Sequence, residues 1–153
     1  MFSNLDLAFM QEAIELAKEA KLNGEVPVGA VITLDNKIIG RGFNQVIAKN
    51  SVTSHAEINA INEASRFIKN YRLKGCDIFV TLEPCHMCAK AIVDARIDTL
   101  YFSAKEPKTG AIESIDQFLD RDDLNHQVLY SGGHMKEQSS DLMKKFFQSK
   151  RAK

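Results

Sequence analysis

The sequence has no excess of either charge, because its 153 residues include 20 Lys and Arg and 20 Asp and Glu. The overall charge therefore gives no indication of nucleic-acid binding. No apolar run approaches the roughly 18 residues that indicate a membrane span. Acidic Asp6 and Glu12 lie where a secretion signal would be basic and then apolar. These absences predict a cytoplasmic protein with no membrane segment.

Cysteine is also scarce, with three residues, of which Cys85 and Cys88 form a C-x-x-C pair. This number suits a reducing compartment better than a secreted disulfide framework. The third, Cys76, is expected to be an ordinary buried residue at the edge of a strand. Neither an internal repeat nor a linker rich in Pro, Gly or Ser interrupts the chain. Residues 1–153 are therefore predicted to form a single domain.

Hydrophobic periodicity predicts helices and strands that alternate along most of the chain. Two apolar segments around Asp35-Asn36 predict a hairpin of antiparallel strands. The expected strands are 26–34, 37–43, 77–81, 99–103 and 128–130, and the expected helices are 5–21, about 55–68, about 85–95 and 135–148. This order favours an α/β domain with a partly parallel sheet. The acidic stretch 113–123 is predicted to be a solvated surface segment.

The C-terminal segment departs from the even charge balance of the chain. From Lys136 to Lys153 there are six basic residues and two acidic ones, Glu137 and Asp141. A helix over about residues 135–150 would carry most of this positive charge. The C-terminus is therefore a candidate contact for phosphate groups.

Two short motifs, His55-Ala56-Glu57 and Pro84-Cys85-His86-Met87-Cys88, carry the chemistry. One imidazole and two thiolates are a ligand set typical of zinc. Zinc with three protein ligands keeps a fourth position for water, whose pKa it lowers to about 7. The carboxylate of Glu57 is then left to transfer protons. H-x-E paired with P-C-x-x-C is an established signature of zinc nucleobase deaminases, so the motifs predict hydrolytic deamination.

The two cysteines alone have simpler interpretations, a redox pair or two core residues. Neither explains the His-x-Glu motif at the start of another helix. Because Cys85 and Cys88 are three residues apart, they lie on one face of a helix and can share a metal. His86, between them, points elsewhere and is interpreted as a substrate-pocket or surface side chain.

Glu57 also has a second interpretation. Ser54 and Glu57 fit the S-x-x-E capping box, in which the Glu side chain binds the N–H of the residue that caps the helix. Residues two apart lie about 200° around a regular helix. His55 and Glu57 can therefore both face a metal only if the chain enters this helix irregularly.

Segments that include these motifs run almost end to end: 25–31, 42–44, 55–57, 81–89, 108–111, 125–126 and 146–147. In them the chain resembles the cytidine deaminase-like superfamily and, within it, the bacterial tRNA adenosine deaminases. The resemblance implies a three-layer α/β/α fold with a mixed five-stranded sheet between helices, and one zinc ion per subunit. It also implies hydrolysis of adenosine to inosine at the wobble position of tRNA, by a homodimer that binds the anticodon stem-loop.

The resemblance further implies that Asn44 hydrogen-bonds the base. RNA contacts are expected from the segment 105–110 and the C-terminal helix, with four candidate residues: Glu106, Lys108, Phe147 and Arg151. The chain departs from the family at three places. Ser51-Val52-Thr53-Ser54 replaces a proline-containing turn, Glu106 stands where Asp is more common, and Lys150-Arg151 replaces a pair of arginines.

Two other functions share parts of this pattern. Deaminases of a free base or nucleoside, such as guanine or cytosine, carry the same metal motif. A non-catalytic zinc-stabilised RNA-binding subunit is the second alternative, although such a subunit would be expected to lack the carboxylate of Glu57. An anticodon loop suits a buried metal site because its bases are already unpaired.

Overall fold

The computed structural model describes residues 2–151, in which helices and strands follow the predicted order. The elements are α1 (Asn4–Leu22), β1 (Gly29–Leu34), β2 (Lys37–Phe43), α2 (Ala56–Ile68), β3 (Cys76–Leu82), α3 (His86–Asp94), β4 (Thr99–Ala104), a short 3₁₀ helix (Phe118–Asp120), β5 (Leu129–Ser131) and α4 (Lys136–Arg151). Most boundaries lie within three residues of the predicted ones. Among these elements, no helix has the length and apolar character needed to cross a membrane.

The strands form one five-stranded sheet in the order β2-β1-β3-β4-β5. Strand β1 is antiparallel to both β2 and β3, whereas β3, β4 and β5 run parallel to one another. The predicted hairpin is present. Asp35 and Asn36 have φ angles of 51° and 64°, as a two-residue turn with two left-handed residues requires. The mixed sheet that the resemblance implied is therefore confirmed.

Alternating side chains of the sheet divide the core into two layers. Val31 and Phe79 pack with the buried side chains of α1 and with Leu142 of α4. Their neighbours Ile32 and Ile78 join a larger cluster with α2 and α3 on the opposite face. This period of two is what a strand buried on both faces requires. The helices therefore cover both faces, which confirms the three-layer α/β/α fold.

The acidic stretch 113–123 is only partly the solvated segment that was predicted. Most of its residues are exposed, but Leu119 is fully buried and belongs to the larger core cluster. Backbone N–H groups of Glu113 and Ser114 also donate to the buried side chain of Glu83. The prediction is wrong at these positions because one apolar side chain and three hydrogen bonds, including one from the Ser114 hydroxyl, anchor a charged surface segment.

Two glycines of β2 let α2 lie unusually close to the sheet. A Cβ atom on Gly42 would lie 2.3 Å from the carbonyl oxygen of Ala56, and one on Gly40 would lie 2.4 Å from that of Ala60. Both distances are far inside van der Waals contact. Since His55 and Glu57 flank Ala56, the close approach at Gly42 sets the position of the first turn of α2.

We predict that Gly42→Ala destabilises the protein by about 2 kcal/mol through overpacking. The same substitution should lower zinc affinity by about tenfold, since loss of the contacts that support metal ligands typically costs about 10- to 100-fold in affinity. Thermal unfolding and metal titration measure the two effects. Gly29→Ala is the matched control, because its Cβ would lie 2.0 Å from the Ala13 carbonyl of α1, a helix with no metal ligand. Equal loss of zinc affinity in both variants would contradict the prediction.

Candidate active site

His55, Cys85 and Cys88 bring three ligand atoms together between α2 and α3, and within residues 2–151 these three form the only such group. The His55 Nδ1 atom lies 3.7 Å from Cys85 Sγ and 3.5 Å from Cys88 Sγ. Tetrahedral zinc, with its usual Zn–N and Zn–S bond lengths, places nitrogen and sulfur about 3.6 Å apart. The ligand set therefore fits zinc in chemistry and in spacing.

His55 is the N-cap residue of α2, with φ −78° and ψ 156°. This extended backbone removes the geometric problem of the His-x-Glu motif, since the 200° relation holds only inside a regular helix. The capping-box interpretation of Glu57 is wrong because α2 begins one residue later than that motif requires. Asn44 caps the helix instead, since its Oδ1 atom accepts from the Ala56 N–H at 2.8 Å.

Cys85 occupies the matching position on α3, where it is the N-cap residue, and Cys88 lies buried in the first turn. A hydrogen bond from Cys88 lowers the pKa of Cys85 to about 4. The same bond, together with burial, raises the pKa of the Cys88 thiol. Unpaired N–H groups at the start of α3 also favour a thiolate. Metal binding needs both sulfurs as thiolates, so it releases the proton that this pair shares.

Glu57 is only 4% exposed, yet it lines the same cavity as His55 and Cys85. It is not part of the three-residue ligand group. Burial raises the pKa of its carboxyl group to about 7, although its own backbone N–H favours the charged form. A carboxyl group with this pKa can both accept and donate a proton near neutral pH.

The site opens into a cavity of about 430 Å³, within the usual range of roughly 300–1,000 Å³ for small-molecule sites. Three of the predicted substrate-binding residues line it: Asn44, Glu106 and Phe147. The other two, Lys108 and Arg151, line a neighbouring groove that shares Met143 and Phe147 with the cavity. The predicted substrate-binding residues therefore line two adjoining sites, the cavity and the groove.

The C-terminal helix forms one wall of the cavity. Phe146 and Phe147 pack edge to face with ring centroids 5.2 Å apart, and the Lys150 ammonium lies 5.4 Å from the centre of the Phe146 ring. Phe146 is buried, whereas Phe147 is 42% exposed. This wall offers an aromatic surface and positive charge side by side. Lys153, counted in the basic tail, lies outside the described residues.

Sequence reasoning missed two buried carboxylates in the cavity wall. Glu25 is 2% exposed and accepts hydrogen bonds from the backbone N–H groups of Ile47 and Ala48. Glu83, also 2% exposed, accepts from the segment that contains Glu106. Both residues belong to segments that carry the family resemblance, 25–31 and 81–89, but no periodicity showed that their side chains are buried.

The proline-containing turn of the family is replaced by a hydrogen-bonded turn. The Ser54 N–H donates to the Ser51 carbonyl at 3.1 Å, and the Ser51 and Thr53 hydroxyls lie 3.1 Å apart. Ser54 then contacts Asn59 of α2 through its hydroxyl group. The turn that leads to His55 is therefore held by polar contacts.

Neither His86 nor Cys76 belongs to the group of metal ligands. His86 pairs with Asp116 at 2.8 Å, and both side chains are about half exposed. It is therefore a surface residue, one of the two predicted roles. Cys76 is fully buried at the start of β3, as expected, and burial raises its pKa to about 11. Such a thiol is unreactive near neutral pH.

Comparison with known proteins agrees with this geometry. Residues 3–104 match the cytidine and deoxycytidylate deaminase zinc-binding region, so fold and site define a zinc-dependent deaminase. The chain is 44% identical over 150 residues to the tRNA-specific adenosine deaminase of Haemophilus influenzae, covering 97% of this chain and 87% of that protein. It is 37% identical to the corresponding deaminase of Bacillus subtilis, with coverage of 97% and 92%.

Two solved structures share the fold, and the more similar of the two supports the same assignment. A structure from studies of A-to-I editing by tRNA:A34 deaminases superposes with a TM-score of 0.86 and 41% identity, covering 88% of this chain and 98% of that one. The guanine deaminase of Nitrosomonas europaea superposes with a TM-score of 0.75 at 19% identity, covering 92% and 83%, and shares the fold. The chain therefore belongs to the family of cytidine and deoxycytidylate deaminases, among the tRNA-specific adenosine deaminases.

We predict that Cys88→Ser abolishes stoichiometric zinc binding, because a serine hydroxyl is not a thiolate and the soft ligand is lost. Metal analysis of protein purified with zinc measures the result. Cys76→Ala is the matched control, since it removes a buried sulfur outside the ligand group. One zinc ion per chain in the Cys88 variant would show that the assigned ligand set is wrong.

Proposed function

We propose that this chain hydrolyses adenosine to inosine at the wobble position of tRNA, as one zinc-dependent deaminase domain that comprises residues 1–153. One observation carries the proposal. The Glu57 carboxyl group is buried beside His55 and Cys85, at the end of a cavity that an aromatic and basic helix borders. This arrangement combines hydrolytic chemistry with a surface suited to RNA.

Glu57 carries the protons of the reaction. His55, Cys85 and Cys88 would hold zinc, which would supply a Lewis acid that makes water an effective nucleophile near neutral pH. Glu57 accepts a proton from the attacking water and delivers it to a ring nitrogen of adenine. It next accepts the proton of the new hydroxyl group at C6 and passes this proton to the C6 amino group. The C6–N bond then breaks, ammonia leaves, and the C6 oxygen becomes a carbonyl. The pKa of about 7 suits both directions of transfer.

Asn44 is proposed to orient the base. Its Oδ1 atom is occupied by the Ala56 N–H, so the side-chain amide has a fixed orientation and its NH₂ group remains as a donor. Adenine presents ring nitrogens that accept hydrogen bonds. The same side chain therefore caps α2 and binds an acceptor on the base, which ties the base position to the metal ligand His55.

The cavity wall and the neighbouring groove are proposed to hold the anticodon loop. Phe147 offers an exposed ring on which an unpaired base can stack. Lys108 and Arg151, both exposed in the neighbouring groove, are placed to contact phosphates. One Glu106 oxygen accepts from the Lys108 N–H at 3.0 Å, and the other can accept from a ribose hydroxyl. Together they hold a single-stranded loop.

We also propose that the enzyme is a cytoplasmic homodimer. A reducing compartment keeps Cys85 and Cys88 as thiols available for zinc. Ile47, which lines the cavity, is 67% exposed, and Val52 in the following turn is 78% exposed. Large apolar side chains exposed in one segment favour a protein contact. Sedimentation of the zinc-loaded protein is expected to give twice the monomer mass. A monomer at micromolar concentration would contradict this assembly.

The rival function is deamination of a free base, because guanine deaminase shares the fold. The test is an assay of the zinc-loaded protein with a tRNA anticodon stem-loop that carries adenosine at the wobble position. Parallel assays use free guanine, cytosine and adenosine, and a stem-loop with the adenosine moved into the stem. We expect inosine in the first RNA alone. Turnover of a free base without inosine in the RNA would favour the rival.

We predict that Glu57→Gln lowers kcat by about 10²–10⁴, the usual contribution of a general acid and base, while zinc content stays at one per chain. The amide has nearly the same shape but cannot carry the proton. Inosine formation under single-turnover conditions, with metal analysis of the same sample, measures both quantities. Unchanged turnover in this variant would mean that another group transfers the protons.

A further inference from the structure

Glu83 accepts an unusual number of hydrogen bonds for one carboxylate. Its Oε2 atom accepts from three consecutive backbone N–H groups, those of Ile112 at 3.0 Å, Glu113 at 2.7 Å and Ser114 at 2.9 Å. Its Oε1 atom accepts from the N–H of Glu106 at 3.1 Å and from the Ser114 hydroxyl. Five donors exceed the roughly four lone-pair sites of an ionised carboxylate, so both oxygens are fully used.

These donors come from the two ends of one segment, residues 106–114. The segment contributes Glu106 and Thr109 to the cavity and Lys108 to the neighbouring groove. In its middle, a Cβ atom on Gly110 would lie 2.4 Å from Cδ of Glu83. The chain therefore folds directly against the carboxylate, which acts as the centre of the loop.

Glu83 also lies two residues before a metal ligand. Its N–H donates to the Ala104 carbonyl at the end of β4, at 2.8 Å. The next residue, Pro84, accepts from the Ala111 N–H at 2.9 Å and leads directly to Cys85. The segment 106–114 is thus attached, through a few covalent and hydrogen bonds, to the backbone that places Cys85.

We propose that Glu83 is a positioning residue that sets the RNA-binding segment 106–114 at a fixed distance from the metal site. It contacts no reacting atom and acts through Glu106 and Lys108. The proposal rests on the proposed function, because those residues matter only if the cavity binds RNA. A neutral side chain cannot replace the carboxylate, since any amide NH₂ would face N–H and O–H donors.

The test is Glu83→Gln in the zinc-loaded protein, assayed with the wobble-adenosine stem-loop. We expect KM to rise by about tenfold, which corresponds to roughly 1.4 kcal/mol, with kcat changed much less and zinc retained. Hydrogen exchange should quicken at the amides of residues 112–114 and stay unchanged in β3. An unchanged KM, together with loss of zinc or a lower kcat, would overturn the proposal and assign Glu83 to the metal centre.

Two further variants keep the test decisive. Ser114→Ala removes one of the five donors and retains the carboxylate, so it should raise KM in the same direction by a smaller factor, even if Glu83→Gln does not fold. An unchanged KM in Ser114→Ala, with Glu83→Gln unfolded, would overturn the proposal. Glu63→Gln is the matched control. Glu63 does not line the cavity and accepts a hydrogen bond from the Arg41 N–H at 3.1 Å, so this variant should leave KM and hydrogen exchange at residues 112–114 unchanged.

Failure of the positioning role can be told apart from failure of the proposed function. If the wild-type protein formed no inosine in any RNA, the proposed function would be wrong. Hydrogen exchange would still report whether the Glu83 carboxylate orders residues 112–114. Equal exchange at these amides in wild type and Glu83→Gln would overturn the positioning role by itself.

Discussion

The structure depends on one arrangement, the meeting of the first turns of α2 and α3 at the end of the central strands. The N-cap residues of the two helices, His55 of α2 and Cys85 of α3, place their side chains at the same point. Because an N-cap residue has extended backbone, its side chain is not confined to the directions that side chains inside the helix take. The partial positive charge of two helix termini then favours thiolate at this point. Sheet, glycines and turns all serve to hold these two entrances in place.

Three buried carboxylates surround this meeting point, and their hydrogen bonding separates their roles. Glu25 and Glu83 accept two and five hydrogen bonds from loop segments and so hold two different segments of the cavity wall. Glu57 receives far less support from backbone donors, and burial therefore raises its pKa. A carboxylate that several donors hold is fixed in position, whereas a buried one with few donors can exchange a proton near neutral pH. The same functional group thus gives two structural clamps and the proposed proton carrier.

The sequence was sufficient for the order of elements, the layered fold and the zinc ligands, because these follow from periodicity and ligand spacing. Three features depend on contacts between residues that are distant in the chain. The helix start at Ala56 depends on a cap from Asn44, twelve residues away along the chain, so the local pattern favoured a capping box. Burial of Leu119 in an acidic stretch depends on packing against a distant core. The clamping by Glu83 joins residues that are 23 to 31 positions apart.

The cavity is assembled from parts with separate origins. Its metal end comes from the entrances of two helices that pack on one face of the sheet, while its aromatic and basic wall belongs to α4, which packs with α1 on the other side. No zinc ligand lies on that wall. The part of the cavity wall that α4 supplies can therefore change without alteration of the metal site, and exchange of the final helix is a route by which one deaminase scaffold could come to accept nucleic acids of different shape.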